Sequence, residues 1–227
     1  MLHRIVILLL LLCSSAYAGG GLDLYFVRHA QTLANAKGVT NTHTSSTFTD
    51  EGLAQIDTLT AALQGFHFDA ILVSPTERTL LTIAPFLKAS GQKGMVWPEL
   101  TECCWQKERG DVASGQLVTS GEVRLTPEHA PLFGFRDSEG SKLYANRSYP
   151  DGVAQVNRAA ELIRQRYGNS GKTLLVVAHY HSGQVLLAKL LDVERDTLPG
   201  LENARITRLK QGADGKFSIV SINVEPE

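Results

Sequence analysis

Hydrophobic and polar positions along this chain follow two periods, and the switches between them predict its elements. Leu22 to Val27 is almost continuously apolar, which predicts a strand covered by helices on both faces; it ends at Arg28-His29. Thr49-Asp50-Glu51 supplies an N-cap and an acidic first turn, and Leu53, Ile56, Leu59 and Leu63 recur at helical spacing, so a helix is predicted that stops near Gly65. Ala70 to Val73 predicts a second buried strand running into Ser74-Pro75. A helical stretch carrying Leu80, Ile83 and Leu87 follows, which Pro85 should kink or end. Pro150-Asp151-Gly152 opens a long helix with Val153, Val156, Ala160, Ile163 and Tyr167 on its core face, and Gly168 closes it. Leu174 to Ala178 predicts a further strand ending at His179, before an amphipathic stretch from Ser182 to Leu191. Ala204 to Leu209 and Phe217 to Val224, joined through Ala213-Asp214-Gly215-Lys216, read as a hairpin added at a sheet edge. Between Cys104 and Pro150 the pattern is irregular, which predicts a long surface excursion suited to a lid or specificity loop. The alternation of strand and helix without internal repeats predicts a layered α/β sandwich. With 227 residues and 43% hydrophobic content, the chain is sized for one such core.

One apolar run stands outside this alternation. His3 and Arg4 precede Ile5 to Leu12, and small residues with Ala16-Tyr17-Ala18 follow, which is the order of a secretory signal peptide cleaved after Ala18. The run falls short of the roughly 20 residues a spanning helix needs. Residues 1–18 are therefore expected to be removed, leaving 19–227 as one domain, periplasmic or secreted, with no stable membrane insertion. Leu12 before Cys13 makes a poor lipoprotein signal. A net charge of -1 offers no basic surface for nucleic acid. Cleavage would leave Cys103 and Cys104, which are adjacent and could bridge each other only through a distorted peptide; they lack zinc-site spacing and are assigned no chemistry.

Chemistry-bearing residues collect just past the predicted strands. In open α/β sheets ligands bind beyond the carboxyl ends of strands, and the exits here deliver Arg28-His29, Ser74-Pro75 with Arg78, and His179. Taken singly, each has a bland explanation as a surface arginine, a core histidine or a helix cap. Together they suit an anion: guanidinium forks donate paired hydrogen bonds to phosphate oxygens, and their charge keeps a neighbouring imidazole neutral and nucleophilic. A metal site built from His29, His179 and His181 has the right ligand type but no evident carboxylate or cysteine partner, so no metal or other cofactor is expected. His43, His67 and His129 read as surface or loop histidines.

These residues resemble the histidine phosphatase superfamily in its phosphoglycerate-mutase-like branch, over most of the mature chain. Arg28-His29-Ala30-Gln31-Thr32 with Asn35 matches the family's opening motif. Thr49-Asp50-Glu51-Gly52 resembles its helix start, Ser74-Pro75 with Arg78 its second arginine motif, and Val176-Val177-Ala178-His179 its second histidine strand. The resemblance implies a three-layer α/β/α sandwich with a mostly parallel central sheet, and a phosphatase that hydrolyses a phosphate monoester through a phosphohistidine on His29. Arg28, Arg78, Asn35, His179 and Tyr180 would then cradle the phosphate, with backbone N–H groups near Tyr180 adding to them. The family's acid lies in a Leu-x-Glu context, which Leu100-Thr101-Glu102 fits; Glu102 would protonate the leaving alkoxide and then activate water. Glu99 and Glu108 lie close by as alternatives. The chain departs from the pattern at Ala30, where glycine is common, and at Tyr180-His181, where small residues are frequent; Tyr180 also disfavours the branch with Asp directly after the second histidine. The implied partner is a small phosphorylated substrate. Lys107, Arg109, Arg124, Arg136, Lys142 and Arg147 read as solvated loop charges, with a bound polyanion as the alternative. A phosphomutase and an inactive phosphate-binding protein are the competing functions; export argues against the first and Glu102 against the second.

Overall fold

The computed structural model describes residues 20–105, 121–123, 125–137, 141–144 and 148–226. The expected signal peptide and Lys107, Glu108, Arg109, Arg124 and Arg147 lie outside them. In chain order the elements are β1 (Asp23–Arg28), α1 (Leu33–Lys37), α2 (Thr42–Ser46), α3 (Asp50–Leu63), β2 (Ala70–Val73), α4 (Glu77–Ser90), β3 (Gly94–Val96), a 3-10 turn (Pro98–Leu100), β4 (Gly121–Glu122), β5 (Phe133–Phe135), β6 (Lys142–Leu143), α5 (Tyr149–Tyr167), β7 (Thr173–Ala178), α6 (Tyr180–Leu191), a second 3-10 turn (Arg195–Thr197), β8 (Ile206–Gln211) and β9 (Phe217–Val224).

The main sheet has seven strands in the order β5-β3-β2-β7-β1-β8-β9, parallel from β5 to β1 and antiparallel at β8 and β9. Both faces are covered, which explains the unbroken apolar runs. Leu24, Phe26, Leu174, Val176 and Ala178 pack with Val156, Ala160 and Ile163 of α5 and Val185 and Leu186 of α6. Their neighbours Val27, Leu175 and Val177 face the other way, onto Leu59 and Leu63 of α3 and Ile83 and Leu87 of α4. This is the expected α/β/α sandwich. Among the described residues no helix is long and apolar enough to cross a membrane.

Several local expectations need correction. The buried face of α3 runs through Gly52, Ile56, Leu59 and Leu63, whereas Leu53 is 52% exposed. Position 52 must carry no side chain, because a Cβ there would meet the Gln31 carbonyl oxygen at 2.0 Å. Pro85 does not end α4. The helix continues to Ser90 because Phe86 and Leu87 beyond the proline are buried in the core, and it stops at Gly91 in the left-handed conformation with φ 68°. The excursion after Cys104 is not all surface: Phe133–Phe135 pairs in parallel with β3 as the sheet's edge strand, and Phe133 is buried. His129, expected as a surface or loop histidine, lies in a turn but is buried edge-on against Phe133, because that turn folds back to start the strand. His43 and His67 are exposed as expected.

Candidate active site

The parallel strands β1 and β7 end side by side, with Arg28 opposite Ala178. The next residue of each is a histidine. His29 continues the ladder by donating its N–H to the Ala178 carbonyl at 3.0 Å, and His179 is the N-cap residue of α6. Two imidazoles thereby face each other across adjacent strand ends, with ring centroids 5.3 Å apart at 62°. Both are buried, at 3% and 0% exposure.

The orientation of His29 fixes its chemistry. Its Nδ1 lies 2.8 Å from the Ala30 carbonyl oxygen. A carbonyl can only accept, so Nδ1 carries the hydrogen and Nε2 keeps its lone pair. Burial holds the His29 pKa well below 6.5, and the charges of Arg78 and Arg28 push it further in the same direction. His179 is lowered well below 6.5 by burial and by Arg78, His29 and Arg28. Its Nε2 lies 2.7 Å from Ser74 Oγ and 3.4 Å from Thr76 Oγ1, while its buried Nδ1 has no hydrogen-bond partner among the described residues.

The two guanidinium groups sit beside these rings without a carboxylate ion pair among the described residues. Arg28 donates from Nη1 to the Leu201 carbonyl at 2.7 Å and lies over the Tyr180 ring at 5.1 Å. Its Nε is buried and has no hydrogen bond among the described residues. Arg78 stands in the first turn of α4, where burial and the Arg28 charge lower its pKa and the Glu102 charge opposes them. The two guanidinium charges thus act on both buried rings, which lie side by side.

Glu102 adds the carboxylate. Its Oε1 accepts from the backbone N–H of Ser182 at 2.9 Å and of Cys103 at 3.2 Å, and its charge acts on both Arg28 and Arg78. The Ser182 amide belongs to the first turn of α6, so this one amide of the helix N-terminus is engaged by the Glu102 carboxylate. Oε2 has no hydrogen bond among the described residues. Glu99, the first alternative acid, is instead buried in an ion pair with Arg136 at 3.0 Å and a hydrogen bond from Tyr144 at 3.1 Å. Arg136 is therefore no solvated loop charge, because it neutralises a buried carboxylate.

Asn35 is exposed, and its Oδ1 accepts from the Thr32 N–H at 3.0 Å, which caps α1. The same oxygen accepts from Asn203 Nδ2 at 3.3 Å, and that nitrogen also donates to the His29 carbonyl at 2.7 Å. Asn203 was not legible beforehand, since it lies in an aperiodic loop 174 residues from its partner. Thr82 was equally silent: its Oγ1 accepts the Ala30 N–H at 3.0 Å across from α4. His181 does not join a metal trio, because its Nδ1 accepts from the buried Arg195 at 2.9 Å. Among the described residues no three His, Cys, Asp or Glu side chains group as a metal site. Cys103 and Cys104, assigned no chemistry, are joined in a disulfide. A left-handed backbone at Cys104, with φ 70°, turns the neighbouring side chains toward each other.

Residues 24–225 match the histidine phosphatase superfamily (branch 1). The chain belongs to this superfamily. It is 34% identical over 174 residues to the adenosylcobalamin/alpha-ribazole phosphatase of Salmonella typhi, covering 74% of this chain and 79% of that relative. Its fold is shared with the alpha-ribazole phosphatase of Shigella flexneri (TM-score 0.63, 17% identity, 89% of this chain and 96% of that one). It is shared equally with a phosphoglycerate mutase of Bacillus anthracis (TM-score 0.61, 18% identity, 92% and 95%). Membership of this superfamily, with a 34% identical relative named as a phosphatase, makes the chain a phosphoric monoester hydrolase, while the fold by itself accommodates mutase and phosphatase alike.

Proposed function

We propose that this enzyme hydrolyses a small phosphate monoester through a phosphohistidine on His29, with Glu102 as general acid and then general base. The observation that carries the reading is the His29 ring, held neutral by burial and with its Nε2 lone pair left by the Nδ1 contact to the Ala30 carbonyl, beside two guanidinium groups without a carboxylate ion pair among the described residues. Arg28, Arg78 and His179 bind the phosphoryl oxygens and stabilise their charge as it spreads in the transition state. Nε2 attacks phosphorus, and the bond from phosphorus to the ester oxygen breaks. The proton for the departing alkoxide comes from Glu102 Oε2, while Oε1 stays anchored on the two amides. An arriving phosphate dianion favours protonation of that carboxyl. In the second half, the Glu102 carboxylate removes a proton from water, the water oxygen attacks phosphorus, and the bond from phosphorus to Nε2 breaks to restore neutral His29. Asn203 and Asn35 hold the backbone of the nucleophile and its following loop in place. Tyr180, stacked on Arg28, forms one wall of the phosphate cradle.

The relatives named for alpha-ribazole chemistry make alpha-ribazole phosphate the first substrate to assay. We also propose export, because residues 1–18 carry the pattern of a signal peptide, which separates this enzyme from the phosphorylated metabolites a mutase would draw on. A panel of phosphomonoesters assayed with EDTA present tests the central claim. Phosphate release by the mature protein should persist under chelation and fall on the order of 10³-fold or more in His29→Ala. Undiminished turnover in that variant, or transfer between substrates without release of inorganic phosphate, would remove the reading.

A further inference from the structure

The catalytic acid is not on a strand end, so something else must hold it. Between Pro98 and Glu102 the chain makes a 3-10 turn and an unpaired bend in the buried interior, and an unsatisfied carbonyl there would cost about 1–3 kcal/mol. The four carbonyls from Pro98 to Thr101 are each met. Pro98 accepts from the Thr101 hydroxyl at 2.7 Å, and Leu100 from the Ser182 hydroxyl at 3.3 Å. The remaining two, Glu99 at 3.1 Å and Thr101 at 2.9 Å, are both met by the single Nε2 of Gln155. A side-chain amide has two N–H donors in one plane, so one glutamine spans the two carbonyls that flank Leu100.

Gln155 projects from α5, which buries it at 2% exposure. One turn earlier on the same face is Gly152, where a Cβ would lie 2.8 Å from Cys104 Sγ and 3.0 Å from Cys103 Cβ. The helix can approach the acid's turn only because that position has no side chain, and Gln155 uses the approach to bond the residue immediately before Glu102. From the other side, α6 holds the Glu102 carboxylate through the Ser182 amide.

We infer that Gln155 is a positioning residue for Glu102: from α5 it fixes the arm on which the acid reaches the leaving-group oxygen. The inference rests on Glu102 being the acid of the proposed mechanism. A displaced acid should harm only those esters that need protonation at departure, whereas the phosphate cradle and nucleophile, carried by strand ends, stay in place.

The test compares an alkyl phosphate with p-nitrophenyl phosphate in Gln155→Met, which keeps the shape and loses both donors. kcat on the alkyl ester should fall roughly 10- to 100-fold, while kcat on the aryl ester changes by less than about threefold and KM for both is retained. Gln155→Ser, whose smaller side chain leaves room for water to satisfy the carbonyls, should show the same split if the methionine variant folds poorly. Equal losses on the two esters, or an unchanged alkyl rate in a folded variant, overturn the inference. Glu102→Gln measured in parallel separates the two levels of the argument. If it discriminates between the esters and the Gln155 variants do not, the acid stands and its clamp falls; if it fails to discriminate, the acid falls and the clamp with it.

Discussion

The two halves of the site are built by different means. His29 and His179 are the residues directly after adjacent parallel strands, so the sheet register that pairs Arg28 with Ala178 also sets the separation of the two rings. Glu102 stands on a bend outside any ladder, and its place depends on hydrogen bonds contributed by two helices from far along the chain. The difference teaches that, in the proposed mechanism, the nucleophile and phosphate cradle would sit on strand ends fixed by sheet register, while the acid would sit on an arm that single side chains hold. Damage to the first half should therefore be general, and damage to the second should be selective for the leaving group.

Glu102→Gln isolates the second half most strongly. General acid catalysis contributes typically about 10²–10⁴-fold, so alkyl esters should slow by that order while aryl esters, whose leaving groups depart without a proton, slow little. Steady-state rates across a series of leaving groups would show it as a steeper dependence on leaving-group pKa. A uniform drop would mean that Glu102 contributes charge alone and that the two halves are not separable.

Arg78→Leu addresses the first half. Loss of one preorganised donor to a charged transition state costs roughly 10²–10³-fold, here for alkyl and aryl esters alike. Equal loss is the diagnostic feature, read as kcat/KM on the same pair of substrates. A selective loss would place Arg78 with the acid, whose charge it does feel, and would redraw the boundary between the halves.

The same division explains what could be read from the chain alone. Apolar runs such as Leu22 to Val27 and Leu174 to Ala178 announce buried parallel strands, and the residues after them inherit a position, so the pairing of His29 with His179 was legible. Glu102 was singled out through its Leu-x-Glu setting, without any indication of what holds it. Gln155 looks like a polar residue on an amphipathic helix, and Asn203 like a loop asparagine; only the folded chain shows that one is buried and bonded to the Thr101 carbonyl beside Glu102 and the other bonded to the His29 carbonyl. Leu53 and Pro85 misled for a related reason, since packing against Gln31 and the core outweighed periodicity and local propensity. The bridge at Cys103 and Cys104 depended on one backbone angle that no spacing rule reports.

The smallest effect expected is a displacement along the pH axis, and it ties both halves to the electrostatics of His29. In the free enzyme only neutral His29 attacks, so kcat/KM on p-nitrophenyl phosphate falls as pH drops through its folded-state pKa. Burial is the largest cause holding that pKa well below 6.5, followed by the charges of Arg78 and Arg28. The acid limb should therefore lie well below pH 6.5, and the residual activity of Arg78→Leu should show the limb moved upward, though still below that value because burial remains. Stability carries the same sign. An unfolded histidine takes up its proton near pH 6.5 while buried His29 and His179 stay neutral, so the unfolded chain binds more protons and the folded state loses stability as pH falls from there toward the lowered pKa values. Thermal melts between pH 7.5 and pH 5, chosen as roughly one unit either side of an ordinary histidine, should show the midpoint falling on the acid side. Inorganic phosphate, whose charge favours the protonated rings, should oppose that fall. An acid limb at or above pH 6.5 in the wild-type enzyme would mean that neither burial nor the guanidinium charges hold His29 neutral, and the pocket formed by the strand ends would then bind phosphate without preparing His29 to attack it.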